Sequence, residues 1–484
     1  MMPSKRNMPL LPAGEIPGPN ARTNWRSYLA GGALGVERLI VSGERGKGDM
    51  IKVFWKDGHE SEFSGKWLQD HSSTIFNPET LQRELDTCNV PNNLRVDHAW
   101  ITPAASHTQQ QQQKQQLLIR LASTATDDVD TTTAVSDEEE EQQHDVAIPT
   151  EWLRQHCTSP AARDLRERMG VTVRARLGPS IGEGVLWGAN LFSSPSEGVN
   201  TAGQPCFERF DFEAVMASPL PSDKSSWLDR DHDGVGVPVL ARLLMVLRTY
   251  GIVLVRGVPP EKEGTKQLSL KIGKHLRSTL YGGGMWATAA DTVAKEEGFK
   301  DSSYTNAALA SHTDCTYLKD PPGLQVFNCI KQAEKGGIST YVDGFAVAER
   351  LRQEDPEAFE FLSKTPLFYQ CFDDGCHYRS EGPIFLLGDR GQLVQVRHND
   401  YDRAPLDHMS SEDVELFYKH HQALTRIIRD PSMVARVLLK SGETMILNNQ
   451  RTLHGREGFE GSRKLVGCYI GMDEVESMAR IYGV

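Results

Sequence analysis

His312-Thr313-Asp314 is the first place in the chain where residue types and spacing point to chemistry. Residues i and i+2 of a strand face the same way, so this imidazole and carboxylate can grip one metal ion. The spacing alone is cheap. With 15 His and 65 acidic residues in 484 positions, about two His-x-acid triplets arise by chance, and two occur, this one and His398-Asn399-Asp400. A further imidazole would complete a 2-His-1-carboxylate face of the non-haem iron(II) type, which leaves three coordination positions open. His454, in Asn448-Asn449-Gln450-Arg451-Thr452-Leu453-His454-Gly455, follows an expected strand 140 residues beyond Asp314, as when opposite edges of a jelly roll converge. Arg463 offers a guanidinium fork that can take the distal carboxylate of a dicarboxylic co-substrate in a bidentate grip, which an ammonium matches poorly. The plainer readings are a surface-turn histidine at 454 and an exposed basic residue beside Lys464.

Such residues need strands to aim them. Short apolar runs at Ile252 to Val255, Gly323 to Cys329, Ser339 to Val342, Gly382 to Leu387, Leu393 to Arg397, Thr444 to Asn448 and Lys464 to Ile470 predict strands. Helical spacing over Val237 to Leu247 ends at Gly251, and Phe345 to Leu362 reads as one charged surface helix. Many strands separated by Gly turns imply a mainly β domain of jelly-roll type over residues 185–484, with flanking helices. Before it, residues 46–180 read as a small β-rich domain that opens on a hairpin, Ile51 to Phe54 and Ser61 to Trp67 around Lys56-Asp57-Gly58. Glu151-Trp152-Leu153 echoes Trp67-Leu68, a hint of two related halves. Residues 103–146 hold a Gln run, a brief apolar Leu117 to Leu121 and a Thr/Asp/Glu tract, and are expected to be largely a disordered insertion. Residues 1–45 read as a basic leader of mitochondrial type or a flexible tail.

The net charge of −12 is concentrated. Residues 121–150 hold nine acids and no Lys or Arg, and without them the balance falls to −3. No basic patch for nucleic acid stands out, and Val237 to Val255, the most apolar stretch, is interrupted by Arg242 and Arg248, which excludes a spanning helix. Eight scattered Cys with no CxxC predict free thiols in a reducing compartment.

Together the motifs resemble the 2-oxoglutarate- and iron(II)-dependent dioxygenases of carnitine biosynthesis. The resemblance rests on Tyr304-Thr305, Ser311-His312-Thr313-Asp314, Pro322-Gly323-Leu324-Gln325, Gly336-Gly337, Val342-Asp343-Gly344-Phe345, Tyr401-Asp402-Arg403-Ala404, Leu453-His454-Gly455-Arg456-Glu457 and Gly467-Cys468-Tyr469. It spans nearly all of 185–484 and reaches the small domain through Trp67-Leu68-Gln69-Asp70-His71. Val326-Phe327, Tyr401 to Ala404 and His454 to Glu457 are more similar to the trimethyllysine-hydroxylating branch than to the γ-butyrobetaine branch.

The resemblance implies a double-stranded β-helix with His312, Asp314 and His454 as iron(II) ligands, Arg463 on the 2-oxoglutarate carboxylate, and Ser339 near a hydroxyl position that bonds this co-substrate. It implies an aromatic cage for a trimethylammonium, a cation with no N–H to donate, from Tyr281, Trp286, Tyr304 and Tyr469, with Asp301 and Asn399 at the substrate's other end. It demotes His398-Asn399-Asp400 to a chance triplet beside a substrate loop. The implied reaction is C3 hydroxylation of Nε-trimethyllysine, coupled to O2 and to decarboxylation of 2-oxoglutarate to succinate, with ascorbate as reductant and a homodimer built through the small domain. Three departures stand out: Asn448-Asn449-Gln450-Arg451 replaces an Asp-Asn-Trp-Arg pattern, Gly282 to Gly284 adds a glycine between Tyr281 and Trp286, and Ser72 to Asn77 replaces the cysteines of a zinc site. No zinc is therefore expected in the small domain. Hydroxylation of γ-butyrobetaine and a silent scaffold acting through the acidic insert are the alternatives.

Overall fold

Gly251 shows how local sequence sets out the main sheet. In the computed structural model it ends a helix, Val239–Tyr250, in the left-handed region at φ 72°, and the chain reverses at once into the strand Ile252–Arg256. The structure describes residues 35–42, 50–72, 75, 82–83, 90–91, 94–102, 116–124, 141–160, 185–193, 207–220, 238–281, 283–289, 305–373, 375–389 and 391–482. The chain divides into two units, Met1–Arg168 and Met169–Val484.

In the first unit, β1 (Val36–Ser42), β2 (Met50–Trp55) and β3 (Glu60–Ser64) form an antiparallel sheet followed by α1 (Gly65–Asp70). β4 (Arg95–Ile101), β5 (Gln116–Thr124) and β6 (Glu141–Pro149) repeat the plan and lead into α2 (Thr150–Gln155). Both sheets feed one apolar core. The echo of Trp67 in Trp152 is structural as well: in each helix a His four residues on bonds the Trp carbonyl through Nδ1 at 2.8 Å and stacks on its indole, and the two indoles lie 5.6 Å apart.

Two expectations change here. Leu117, Ile119 and Leu121 alternate on β5 and are fully buried, so the apolar run inside 103–146 pairs on both sides as a central strand. The Gln run and the tract 125–140 lie outside the described residues. Within 1–45, Val36–Ser42 is an edge strand because Val36, Leu39 and Val41 reach the same core, while residues 1–34 lie outside the described ones.

In the second unit a six-stranded sheet runs in the order β7 (Arg209–Asp211), β8 (Ile252–Arg256), β19 (Thr444–Asn448), β11 (Leu324–Lys331), β22 (Lys464–Ile470), β9 (Met285–Ala289), antiparallel except for β7–β8. A four-stranded antiparallel sheet runs β10 (Leu309–His312), β20 (Thr452–Arg456), β13 (Ser339–Asp343), β18 (Val434–Val437). The remaining strands form short pairs: β12 (Lys335–Gly336) with β21 (Phe459–Glu460), β14 (Leu367–Asp373) with β15 (Cys376–Gly382), and β16 (Phe385–Leu387) with β17 (Leu393–Val396).

Strand parity divides the larger sheet. Ile252, Leu254, Met445 and Leu447 pack with Tyr341 and Ala435 of the smaller sheet in one core, the signature of a jelly roll. Val253, Val255 and Ile446 face the other way, onto α4 (Val239–Tyr250), α5 (Lys262–Gly273) and α9 (Met472–Tyr482), which follow α3 (Phe212–Ala217) in this outer layer. The single helix expected over Phe345 to Leu362 is two, α6 (Gly344–Glu354) and α7 (Pro356–Lys364). Pro356 forbids continuation and starts the second helix, which Asp355 caps through Oδ1 to Ala358 N at 3.0 Å. α8 (Ser411–Arg429) then packs against both. No described helix is long and apolar enough to cross a membrane.

One buried ion pair ties distant segments together. Arg451 and Asp343, both fully buried, share two hydrogen bonds of 2.8 and 2.9 Å, and the same guanidinium donates to the carbonyls of Thr249 and Val185. Every Arg451 donor nitrogen is thereby satisfied, which offsets the cost of taking the pair out of water.

Candidate metal centre and its pocket

Register brings the three candidate ligands together. β10 pairs with β20 so that His312 lies opposite His454, and Asp314 follows β10 directly. His312 Nε2 is 3.1 Å and His454 Nε2 3.7 Å from the same Asp314 oxygen, Oδ1. The three donor atoms lie within 4.8 Å of one another.

Their neighbours leave the right atoms free. His312 Nδ1 donates to the Ala310 carbonyl at 2.7 Å, which turns the Nε2 lone pair inward. The Tyr469 hydroxyl donates to Asp314 Oδ2 at 2.7 Å and Gln325 Nε2 donates to the same oxygen, so Oδ1 alone faces the imidazoles. Asn449 holds the Asp314 backbone at both ends, accepting from its N–H at 2.8 Å and donating to its carbonyl at 3.0 Å. Next in the chain, Cys315 takes φ 54°, a strained value for a side-chain-bearing residue. His454 Nδ1 is buried without a hydrogen-bond partner among the described residues.

Burial is the largest single influence on each group, but not always the deciding one. It raises the Asp314 pKa, but the charges of His454 and His312 and the hydrogen bonds from His312 and Tyr469 outweigh it and keep the carboxylate ionised. Burial lowers both imidazoles; Asp314 overcomes this at His312, which ends raised, while His454 stays down at about 3. An anionic oxygen facing two imidazoles, one firmly neutral, is a donor set that fits iron(II).

Arg463 lies on the same cavity wall, 8% exposed, and forms no ion pair with any described residue. Its one hydrogen bond runs from Nη2 to Ser339 Oγ at 3.4 Å. Burial pushes its pKa down, against the pull of Tyr341 and Cys329. Such a guanidinium fits an anionic ligand entering beside the triad. Gly336 and Gly337, at φ 74° and 72°, make the turn that delivers Ser339, and a Cβ at Gly337 would press on Arg463 at 3.3 Å.

An aromatic wall faces them. Trp286 on β9 pairs with Gly467 and sits 5.9 Å from the Tyr469 ring; a Cβ at 467 would collide with its indole. Tyr281 lines the same cavity, as does Asn399, whose Oδ1 accepts from Tyr401 N at 2.9 Å. Asp301 and Tyr304 lie outside the described residues.

Four contributors stood in motif stretches but were given no role from sequence: Gln325, Asn449, Phe327 at 5.1 Å from the His454 ring, and Tyr401 edge-on to His312. His398-Asn399-Asp400 is more than a chance triplet, since His398 and Asp400 meet His421 of α8 in a second cluster of the same residue types. Gln450, the departure behind the distal histidine, is buried with its amide on the Pro321 carbonyl at 3.3 Å, so the segment is held by polar contacts there.

Among known proteins, residues 231–469, which contain the three clustered candidate ligands and Arg463, match the taurine catabolism dioxygenase TauD, TfdA family. The chain is 39% identical over 278 residues to the mitochondrial trimethyllysine dioxygenase of Homo sapiens, covering 56% of this chain and 63% of that protein. It is 27% identical over 443 residues to the trimethyllysine dioxygenase of Meyerozyma guilliermondii, covering 90% and 94%. The γ-butyrobetaine dioxygenase of Homo sapiens is 32% identical over 247 residues, 49% and 62% of the two chains. The aligned stretch thus spans less than two thirds of the human relatives' own length.

Proposed function

We propose that this chain hydroxylates Nε-trimethyllysine at C3, with 2-oxoglutarate and O2 as co-substrates. The observation that carries this reading is the joint placement of the open triad and Arg463, a buried guanidinium without an acidic partner among the described residues. Trimethyllysine dioxygenases among the relatives support the choice of substrate.

Iron(II), held by His312, Asp314 and His454, would supply the redox chemistry of oxygen activation; the chain does the rest. Arg463 binds the distal carboxylate of 2-oxoglutarate through its fork, and the Ser339 hydroxyl beside it, accepting from Arg463, donates its own proton to the same carboxylate. Tyr469 and Gln325 keep the second Asp314 oxygen occupied, so the ligand face stays open on one side only. The faces of Trp286, Tyr281, Tyr469 and Tyr304 receive the trimethylammonium and exclude water from it. Asp301 and Asn399 serve the other end of the substrate, where Asp301 pairs with the α-ammonium and repels a substrate that carries only a carboxylate.

Residues 185–484 then form the oxygenase domain and 46–180 a small domain that supports a homodimer. Ascorbate would serve as reductant, and the mitochondrial relatives favour the mitochondrion as the compartment. Mass spectrometry of products from trimethyllysine and from γ-butyrobetaine, each with iron(II) and 2-oxoglutarate, tests the reading. A 3-hydroxylated trimethyllysine with stoichiometric succinate is expected. Faster turnover of γ-butyrobetaine, or no oxygen-dependent succinate, would reject it. Asp301→Asn should depress trimethyllysine turnover roughly tenfold or more, as loss of a charge-assisted bond predicts, while uncoupled decarboxylation stays measurable.

A further inference from the structure

We infer that His398, Asp400 and His421 form a second metal site, for a divalent ion of the zinc type, which fastens the loop carrying Asn399 to α8. His398 and Asp400 stand two residues apart just after β17, and His421 lies at mid-helix in α8. His421 Nε2 is 3.2 Å from Asp400 Oδ1, the two imidazoles sit 5.4 Å apart between centroids, and the donor atoms of all three residues lie within 4.8 Å of one another.

His398 is the second observation. It is 5% exposed, its backbone is spent on Thr313 through N and O, and its ring makes no hydrogen bond to any described residue. That ring and Asp400 border a cleft lined also by Thr425 and Arg429. A largely buried imidazole turned to a cleft, with no hydrogen-bond partner among the described residues, leaves its ring nitrogens open to a ligand there. Two groups oppose a cation here: Arg403 Nε stands 3.5 Å from Asp400 Oδ1, and the charge of Arg429 acts on His398. The Arg403 ion pair and the His421 contact both fall on Oδ1 of that carboxylate.

The ion's identity follows from the donors. Two imidazoles and one carboxylate suit zinc, which outcompetes iron(II) at equal geometry. The cleft beside them carries Arg429, Arg436 and Arg456 and a single aromatic residue, Tyr401, so it lacks the aromatic wall of the first site. The inference does not depend on the hydroxylase reading.

Its test is metal binding by the full chain stripped with chelator, with zinc measured by equilibrium dialysis and elemental analysis, and cobalt(II) followed by absorption. His421→Gln and Asp400→Asn, each checked for folding by circular dichroism, should bind one equivalent fewer than the unaltered chain. His454→Ala should keep that equivalent, with the intense visible bands of four-coordinate cobalt. Unchanged stoichiometry in either folded variant overturns the site, and so does loss of those bands in His454→Ala with their retention in His421→Gln. Should His421→Gln fail to fold, the isosteric Asp400→Asn carries the same decision.

Discussion

The domain holds two clusters of two histidines and one aspartate, and they differ in what surrounds them. His312 and His454 come from paired strands and Asp314 follows the first of them, and every atom not aimed at the centre of that triad, save His454 Nδ1, is fixed by the sheet or by Tyr469, Gln325 and Asn449. His398, Asp400 and His421 come from a loop and a helix, with Arg403 on the carboxylate and Arg429, Arg436 and Arg456 lining the adjoining cleft, which lacks a counterpart of the Trp286, Tyr281 and Tyr469 wall. The same donors thus serve different ends. What an ion can do depends on the open side of its site, and here only the strand-borne cluster has an open side with Arg463 on it.

Four measurements can break or sharpen this contrast. The largest effect belongs to His312→Ala, Asp314→Ala or His454→Ala, each of which should reduce turnover to background and abolish stoichiometric iron, whereas His398→Ala should retain iron; the reverse pattern would invert the two roles. Next, Arg463→Lys should raise the apparent requirement for 2-oxoglutarate about tenfold to a hundredfold, from the 1.5 to 3 kcal/mol of a charge-assisted bond, with a much smaller change for the amine substrate. Equal changes in both would make Arg463 a folding residue. Tyr469→Phe keeps the ring and removes the donor to Asp314 Oδ2, so iron should bind about tenfold more weakly, read by titration, with the substrate KM moving less. Ser339→Ala, which removes a hydroxyl held by one long bond from Arg463 while leaving the guanidinium fork in place, should shift the 2-oxoglutarate KM by about five-fold at most, measured at saturating substrate.

The strand-borne cluster was legible because strand parity and register are sequence-encoded. His312 and Asp314 share a face by spacing, and the apolar runs that became β11, β13, β19 and β22 place the strands around His454. His421 was not legible, since nothing local links a mid-helix histidine to a loop 21 residues earlier. Gln325 and Asn449 are ordinary polar residues until the fold points them at Asp314. Helix α8 was readable and passed over: Ser410 caps it through Asp413 N, and Phe417, His421, Leu424 and Ile428 recur at helical spacing on its buried face. The split at Pro356 was equally open to reading.

The Arg451–Asp343 pair also bears on how the chain reaches this state. During synthesis Asp343 emerges 108 residues before its partner, and Val185 266 residues before. Until Arg451 arrives, an acid destined for a dry interior has no counter-charge there, and stranding it would cost about 3 to 5 kcal/mol. Closing contacts of such long sequence separation is slow. The jelly roll therefore has little to gain from assembling strand by strand on the ribosome; its two sheets should lock in one late step, and a chain truncated before Arg451 should remain an open, protease-sensitive intermediate.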